Sequence, residues 1–197
     1  MSEAALFPVF LKLDGRPVLL VGGGVVAELR LAELVRAGAR VTVVAPHVRP
    51  AILAHEGVIV AQREFADGDL DGVWLAVAAA SPDANRRVAD AALARRVFVN
   101  AVDDAQRATA YTGGVLRRGG VTIAVSTEGR APALAGLLRE ALEAVVPDEI
   151  ETWVAVAHRA REEQRAARVP MADRRPLLLR SLNRLYATRG ADVEAPV

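Results

Sequence analysis

The 197-residue chain carries 25 basic and 24 acidic residues, a formal charge of +1, so charge alone supplies no grip on a nucleic-acid backbone. It has no cysteine, which excludes disulfides, thiolate nucleophiles, iron–sulfur clusters and Cys-ligated zinc together. Lys12 is the only lysine and lies outside any phosphate-loop pattern, so lysine-based covalent or Walker-type chemistry is not indicated.

The opening residues Met1 to Pro8 lack a basic leader segment and do not read as a signal peptide. The longest apolar run, Val73 to Ala80, falls far short of the roughly 20 residues a bilayer demands. No membrane span is expected, and the protein reads as cytoplasmic. Pro17-Val18-Leu19-Leu20-Val21 is a short apolar run stopped by glycines, the pattern of a strand buried on both faces. Val25 to Ala37 has Ala27, Leu31, Leu34 and Val35 at helical spacing, and Gly38 supplies its stop. Arg40 to Val44 is a β-branched strand closed by Ala45-Pro46, so the spacing predicts a right-handed βαβ unit.

The alternation continues with strands at Val58–Val60 and Val73–Ala78, a helix from Pro82 to Arg95 and a strand at Val97–Asn100. This predicts an α/β fold, a Rossmann-like doubly wound parallel sheet with its chemistry at the carboxyl ends of the strands. After residue 110, Val115-Leu116 and Val121–Val125 flank Arg117-Arg118-Gly119-Gly120 as a hairpin. A turn-rich loop, Ser126 to Pro132, leads into helices at Ala133–Val145, Ile150–Ala167 and Arg174–Thr188, and the tail from Gly190 is expected to fray.

Gly22-Gly23-Gly24-Val25-Val26-Ala27 fits G-x-G-x-x-A between a strand and a helix. Gly22 permits the tight turn, Gly24 lets a pyrophosphate approach the main chain, and Ala27 brings helix and strand close. The helix N-terminus then offers unpaired N–H groups to the phosphates. The alternative is a structural glycine turn with no cofactor. The acid expected some 20 residues on, to hold the ribose of NAD, is missing: the second strand ends Val44-Ala45-Pro46-His47-Val48-Arg49. Arg49 is either a partner for a 2′-phosphate or plain surface, so these residues leave NAD and NADP both open. The candidate cofactor residues are Gly22, Gly23, Gly24, Val25, Val26, Ala45, Pro46 and Ala79.

Asn100-Ala101-Val102-Asp103-Asp104 lies just past a strand end, where a carboxylate can serve as general base or simply belong to a solvated turn. The loop Ser126-Thr127-Glu128-Gly129-Arg130 reads either as an anion-binding loop before a helix or as an ordinary N-cap. His47, His55 and His158 are too scattered for a metal site, and no resident metal is predicted. Trp74 and Trp153 read as packing residues.

Taken together, these stretches resemble the precorrin-2 dehydrogenase and sirohydrochlorin ferrochelatase family, found also as the front portion of siroheme synthases. The resemblance rests on Leu6-Phe7-Pro8-Val9-Phe10-Leu11 with Leu13, on Val18 through Ala27, on Gly38 through Pro46, on Val99-Asn100-Ala101-Val102-Asp103, and on Ile123 through Thr127 with Gly129 and Pro132-Ala133-Leu134-Ala135. It implies NAD-dependent oxidation of precorrin-2 to sirohydrochlorin, with Fe²⁺ as a further substrate if the chain is also a chelatase. It implies a homodimer, and a division into a dinucleotide-binding domain at 1–112, a small α+β dimerisation segment at 113–146 and a helical C-terminal domain at 147–197.

The family's key aspartate falls on Asp103 as general base, with neighbouring Asp104 as the fallback. Asn100, Asp104, Arg107, Ser126, Thr127, Gly129 and Arg130 are the implied substrate residues, and Arg117 and Arg118 are further candidates for the substrate's carboxylates. The chain departs from the family at Tyr111-Thr112-Gly113-Gly114, where a Phe and a Pro-containing segment are usual, and at Glu128, which stands at a Gly position. Two alternatives remain: a dehydrogenase without chelatase activity, and a non-catalytic NAD(H)-sensing module, which would need neither a base at Asp103 nor the 126–132 loop.

Overall fold

The computed structural model describes residues 5–190. Strands β1 (Pro17–Val21), β2 (Arg40–Val44), β3 (Ile59–Ala61), β4 (Leu75–Ala78) and β5 (Phe98–Ala101) form a five-stranded sheet in the order β3-β2-β1-β4-β5. Every pairing in it is parallel. The chain steps outward from β1 to β3, then crosses back to lay β4 on the other side of β1. That reversal, between β1 and β4, is where a doubly wound sheet opens a crevice beyond its strand ends.

Alternation along β1 builds the core on both faces. Val18 and Leu20 pack with Ala27, Leu31 and Leu34 of α1 (Val25–Arg36) and with Ile52 of the single-turn α2 (Pro50–Leu53). Leu19 and Val21 pack with Val88 and Ala92 of α3 (Pro82–Ala94), and with Phe65 and Leu70 at a 3₁₀ turn over Asp67–Leu70. Val18 through Val21 are all buried, so the apolar run has two partners rather than one. Neither α2 nor the 3₁₀ turn has a sequence signature, because each is too short to show a period. Trp74 is half exposed rather than core, with the Arg16 guanidinium 4.3 Å from its ring centroid.

Residues 114–125 and 133 onward form a second compact unit. β6 (Gly114–Arg118) and β7 (Val121–Val125) make an antiparallel hairpin. Gly119 and Gly120 both have positive φ, 51° and 79°, which makes a two-residue turn. Arg117 and Arg118 therefore pair with Thr122 and Val121 as strand residues, rather than joining the connection as the sequence suggests. α4 (Pro132–Val145), α5 (Ile150–Ala166) and α6 (Met171–Gly190) follow. α6 begins before the expected Arg174 and carries Pro176 inside, which forfeits one helical hydrogen bond. The Trp153 and Tyr186 rings meet edge to face at 6.2 Å, joining α5 to α6. The expected frayed tail beyond Gly190 lies outside the described residues. None of the described helices is long and apolar enough to cross a membrane.

Leu20 is fully buried at the centre of the sheet. Leu20→Ala should lower the unfolding free energy by about 2–5 kcal/mol through lost transfer energy and an unfilled cavity, read as a shift in denaturant midpoint.

Candidate active site

The β1–α1 turn, the end of β2 and the end of β4 enclose a crevice of about 460 Å³. Gly22 through Val26, Ala45, Pro46 and Ala79, all singled out on sequence, line it. The glycines there have different reasons to be glycine. A Cβ on Gly22 would lie 2.1 Å from the Ala79 carbonyl oxygen, and its φ of +134° disfavours a side chain in any case. A Cβ on Gly23 would lie 2.0 Å from the His47 carbonyl oxygen. Gly24 alone of the three has nothing within 4 Å of its missing Cβ. Two glycines thus let strand ends touch, and the third faces open space.

Gly24 is also the N-cap of α1 and supplies no side-chain cap, so the first N–H groups of that helix are left for another acceptor. Open space beside uncapped N–H groups at a positive helix end fits a pyrophosphate. A second helix start borders the same crevice: Ser81 caps α3, its hydroxyl accepting from the Ala84 N–H at 3.4 Å.

The crevice has further walls that sequence reasoning missed. His47, Glu64, Phe65, Ser81 and Arg87 also line it. Glu64 and Phe65 follow the three-residue strand β3 through an irregular segment, so no periodicity marked them. That segment is pinned by Arg63, which donates to both Asp69 carboxylate oxygens at 2.8 and 2.5 Å and to the Glu64 carbonyl at 3.0 Å. The Arg63 hydrogen bond holds the Asp69 carboxyl below its ordinary range. The pairing therefore stabilises the fold at neutral pH, and that contribution fades as pH falls through the depressed pKa. Arg49, the sequence candidate for a 2′-phosphate, forms an ion pair with Glu28 of α1 at 2.7 Å and does not line the crevice.

Asp103 sits on the same carboxyl edge, two residues past β5, outside the crevice wall. Its placement runs through Asn85, which is 6% exposed. Asn85 accepts from the Ala80 N–H at 2.8 Å and donates to the Val102 carbonyl at 3.2 Å, tying the ends of β4 and β5 together. Val102 also donates to the Ala78 carbonyl at 2.9 Å. Asp103 then turns outward at φ +61°, exposed and with no side-chain hydrogen bond or ion pair among the described residues. An aspartate adopts this left-handed conformation more readily than most residues.

Asp104 is committed elsewhere. Its carboxylate accepts from the Arg107 backbone and guanidinium, each at 3.2 Å, and Arg107 also reaches Asp90 at 3.7 Å. Asn100 is buried, its amide donating to the Ala110 carbonyl at 3.0 Å while its Oδ1 has no partner. The structure thus makes Asn100 a bracket between β5 and the 109–110 segment rather than a group open to ligand.

The 126–132 loop belongs to the same compact unit as Asp103. A Cβ on Gly129 (φ +73°) would meet the Ala105 Cβ at 2.7 Å and the Tyr111 ring at 3.5 Å. The Tyr111 hydroxyl donates to the Ala105 carbonyl at 2.8 Å. Ser126 accepts from the Glu128 N–H and Thr127 from the Ala131 N–H, so both hydroxyls support the turn, and Arg130 pairs with Glu128 at 3.1 Å. In the second unit, Arg118 donates to the Val146 carbonyl and pairs with Asp148, while Arg117 is exposed. Among the described residues no three His, Cys, Asp or Glu side chains cluster to hold a metal.

Comparison with known proteins agrees with this fold. Residues 9–114 match a family described as "Putative NAD(P)-binding", and residues 118–144 match one described as "Sirohaem biosynthesis protein central". The chain is 42% identical over 172 residues to Siroheme synthase 3 of Aeromonas hydrophila, covering 85% of this chain and 37% of that protein. It is 37% identical over 185 residues to the siroheme synthase of Neisseria meningitidis serogroup B, covering 92% of this chain and 38% of that protein. It thus spans well under half the length of these curated relatives. Among solved structures, SirC, precorrin-2 dehydrogenase, superposes with a TM-score of 0.70 at 26% identity, covering 89% of this chain and 88% of that one.

The glycines predict opposite outcomes for one added methyl. Gly22→Ala should destabilise the fold by more than about 2 kcal/mol through clash and strain. Gly24→Ala should leave thermal stability within about 0.5 kcal/mol while weakening dinucleotide affinity by about tenfold or more. Thermal unfolding and calorimetric titration with NAD⁺ check both.

Proposed function

We propose that this chain, which belongs to the NAD(P)-binding family matched over residues 9–114, oxidises precorrin-2 to sirohydrochlorin with NAD⁺ as hydride acceptor. The similarity to SirC and to siroheme synthases supports the substrate and the reaction. The observation that carries the catalytic reading is an unpartnered carboxylate, Asp103, on the sheet edge that bears the glycine corner.

The residues present fit the cofactor. The α1 N-terminus and Gly24 would receive the pyrophosphate, with Ala45, Pro46 and Ala79 forming the crevice walls. Bound there, NAD⁺ supplies a hydride acceptor. Loss of hydride from a macrocycle carbon leaves one proton to be removed, and the Asp103 carboxylate takes it as general base. The carboxylate is exposed and makes no side-chain hydrogen bond or ion pair among the described residues, so it is open to substrate. The Asn85 bracket holds the backbone that aims it.

The substrate is a polycarboxylate, so cations and N–H donors near Asp103 would orient it. Arg107 and Arg130 would exchange their exposed partners Asp90 and Glu128 for substrate carboxylates. The loop through Ser126, Thr127 and Gly129 would border the ring, and Asn100 and Asp104 would hold the surrounding backbone and Arg107 in place. Iron insertion, with Fe²⁺ as a second substrate, would use the same base to accept pyrrole protons. A cytoplasmic setting suits a chain without cysteine.

We also propose a homodimer. In α4, Leu134, Leu137, Leu138 and Val145 form one stripe at helical spacing and are 49%, 64%, 43% and 77% exposed. Among the described residues the second unit buries only Leu116 and Ala135. A stripe of this kind marks an interaction face.

An anaerobic assay with precorrin-2 and NAD⁺, following the tetrapyrrole spectrum and NADH, tests the enzyme. Asp103→Asn should slow oxidation by about 10²–10⁴-fold while NAD⁺ affinity stays within about twofold. Unchanged turnover would move the base elsewhere. No oxidation by the folded, NAD-binding parent would leave the sensor reading, and adding Fe²⁺ afterwards separates dehydrogenase from bifunctional enzyme. For assembly, Leu137→Glu should convert a dimer to a monomer in light scattering. A monomeric parent at micromolar concentration would refute the dimer.

A further inference from the structure

The crevice poses an unanswered question: no acid ends β2, where a carboxylate ordinarily holds the adenosine ribose. We propose that Glu64 does this work from the neighbouring strand, and that it makes the site select NAD over NADP. The inference rests on the reading that the crevice holds a dinucleotide.

Glu64 is the only carboxylate among the described residues that line the crevice. It stands three residues past β3, and β3 ends beside β2: Val44 registers with Ala61, and the Ala45 N–H donates to the Ala61 carbonyl at 3.2 Å. Glu64 therefore faces the end of the cradle bounded by Ala45 and Pro46, away from β4 and β5, where Asp103 stands. In a doubly wound sheet that is the adenosine end.

Its backbone is held on both sides. Arg63 binds the Glu64 carbonyl and clamps Asp69. Phe65, 5% exposed, is anchored in the core, and its carbonyl accepts from Arg87 Nη2 at 3.3 Å. The Glu64 carboxylate itself makes no hydrogen bond or ion pair among the described residues. A fixed backbone bearing an uncommitted carboxylate is ready to accept from a ribose hydroxyl. The same charge repels a 2′-phosphate. Of the cations nearby, Arg49 is paired with Glu28, and Arg87 reaches the Phe65 carbonyl.

Dissociation constants for NAD⁺ and NADP⁺, measured by calorimetry on the full chain, test this without relying on turnover. The parent should bind NAD⁺ at least about tenfold more tightly than NADP⁺, and Glu64→Gln should narrow that ratio by about three- to tenfold. Glu64→Arg should invert it, because a cation replaces an anion beside the phosphate. The parent's preference should also shrink between about 50 and 300 mM salt, and that of Glu64→Gln should not, since only charge repulsion is screened. Glu64 is exposed, so both variants should keep the parent's circular dichroism. A ratio unmoved in both variants overturns the inference while leaving dinucleotide binding intact. A parent that prefers NADP⁺ and loses that preference in Arg87→Ala overturns it in favour of Arg87. A folded parent that binds neither nucleotide overturns both this inference and the reading beneath it.

Discussion

The active edge depends on one close approach, the end of β1 against the end of β4. At position 22 the backbone lies so near the Ala79 carbonyl that no side chain fits. That contact brings the glycine turn and the β4–α3 connection to one crevice, and Asn85 extends the arrangement to β5 and Asp103. Gly23 does the same toward β2 by pressing on His47. The crevice is therefore a consequence of parallel strands ending level with one another, and the open face of Gly24 is the place left over for a ligand.

Polar side chains in the interior are few, and each tends a strand end. Asn85 pairs the Ala80 N–H and the Val102 carbonyl at the partly buried ends of β4 and β5. β5 is the edge of the sheet, and the segment after Asp103 covers it. Thr109 and Ala110 both donate to the Val99 carbonyl, the Thr109 hydroxyl accepts from the Val99 N–H, and Asn100 binds the Ala110 carbonyl. The edge is thereby closed to pairing with another chain. The same closure leaves Asp103 at the head of a loop tied down at both ends.

The second unit follows a different logic. Its hairpin has two strands, a size marginal in water by itself. Local polar ties such as Arg118 to Val146 and Asp148 hold its turns, and the leucines of α4 are left at the surface. A surface that buries so little internally gains most from association, which is the ground for the dimer proposed through the α4 stripe.

The alternation of strands and helices and the glycine turn with its helix were legible in the chain because each is a local pattern. Apolar period and breaker residues need no knowledge of distant contacts, whereas Asp103 was singled out by family resemblance rather than by its local pattern. What tertiary structure decided was of another kind. Gly22 and Gly23 proved to be packing requirements toward Ala79 and His47, segments distant in sequence. Asp104 proved engaged with Arg107, and Asn100 with Ala110. Glu64, Arg87 and Asn85 joined the site from irregular or polar stretches with no period of their own. Which side chains share a crevice depends on strand order, and strand order is set by which faces can be buried together. A linear pattern records that a strand is buried on both faces, and it does not record which neighbours bury it.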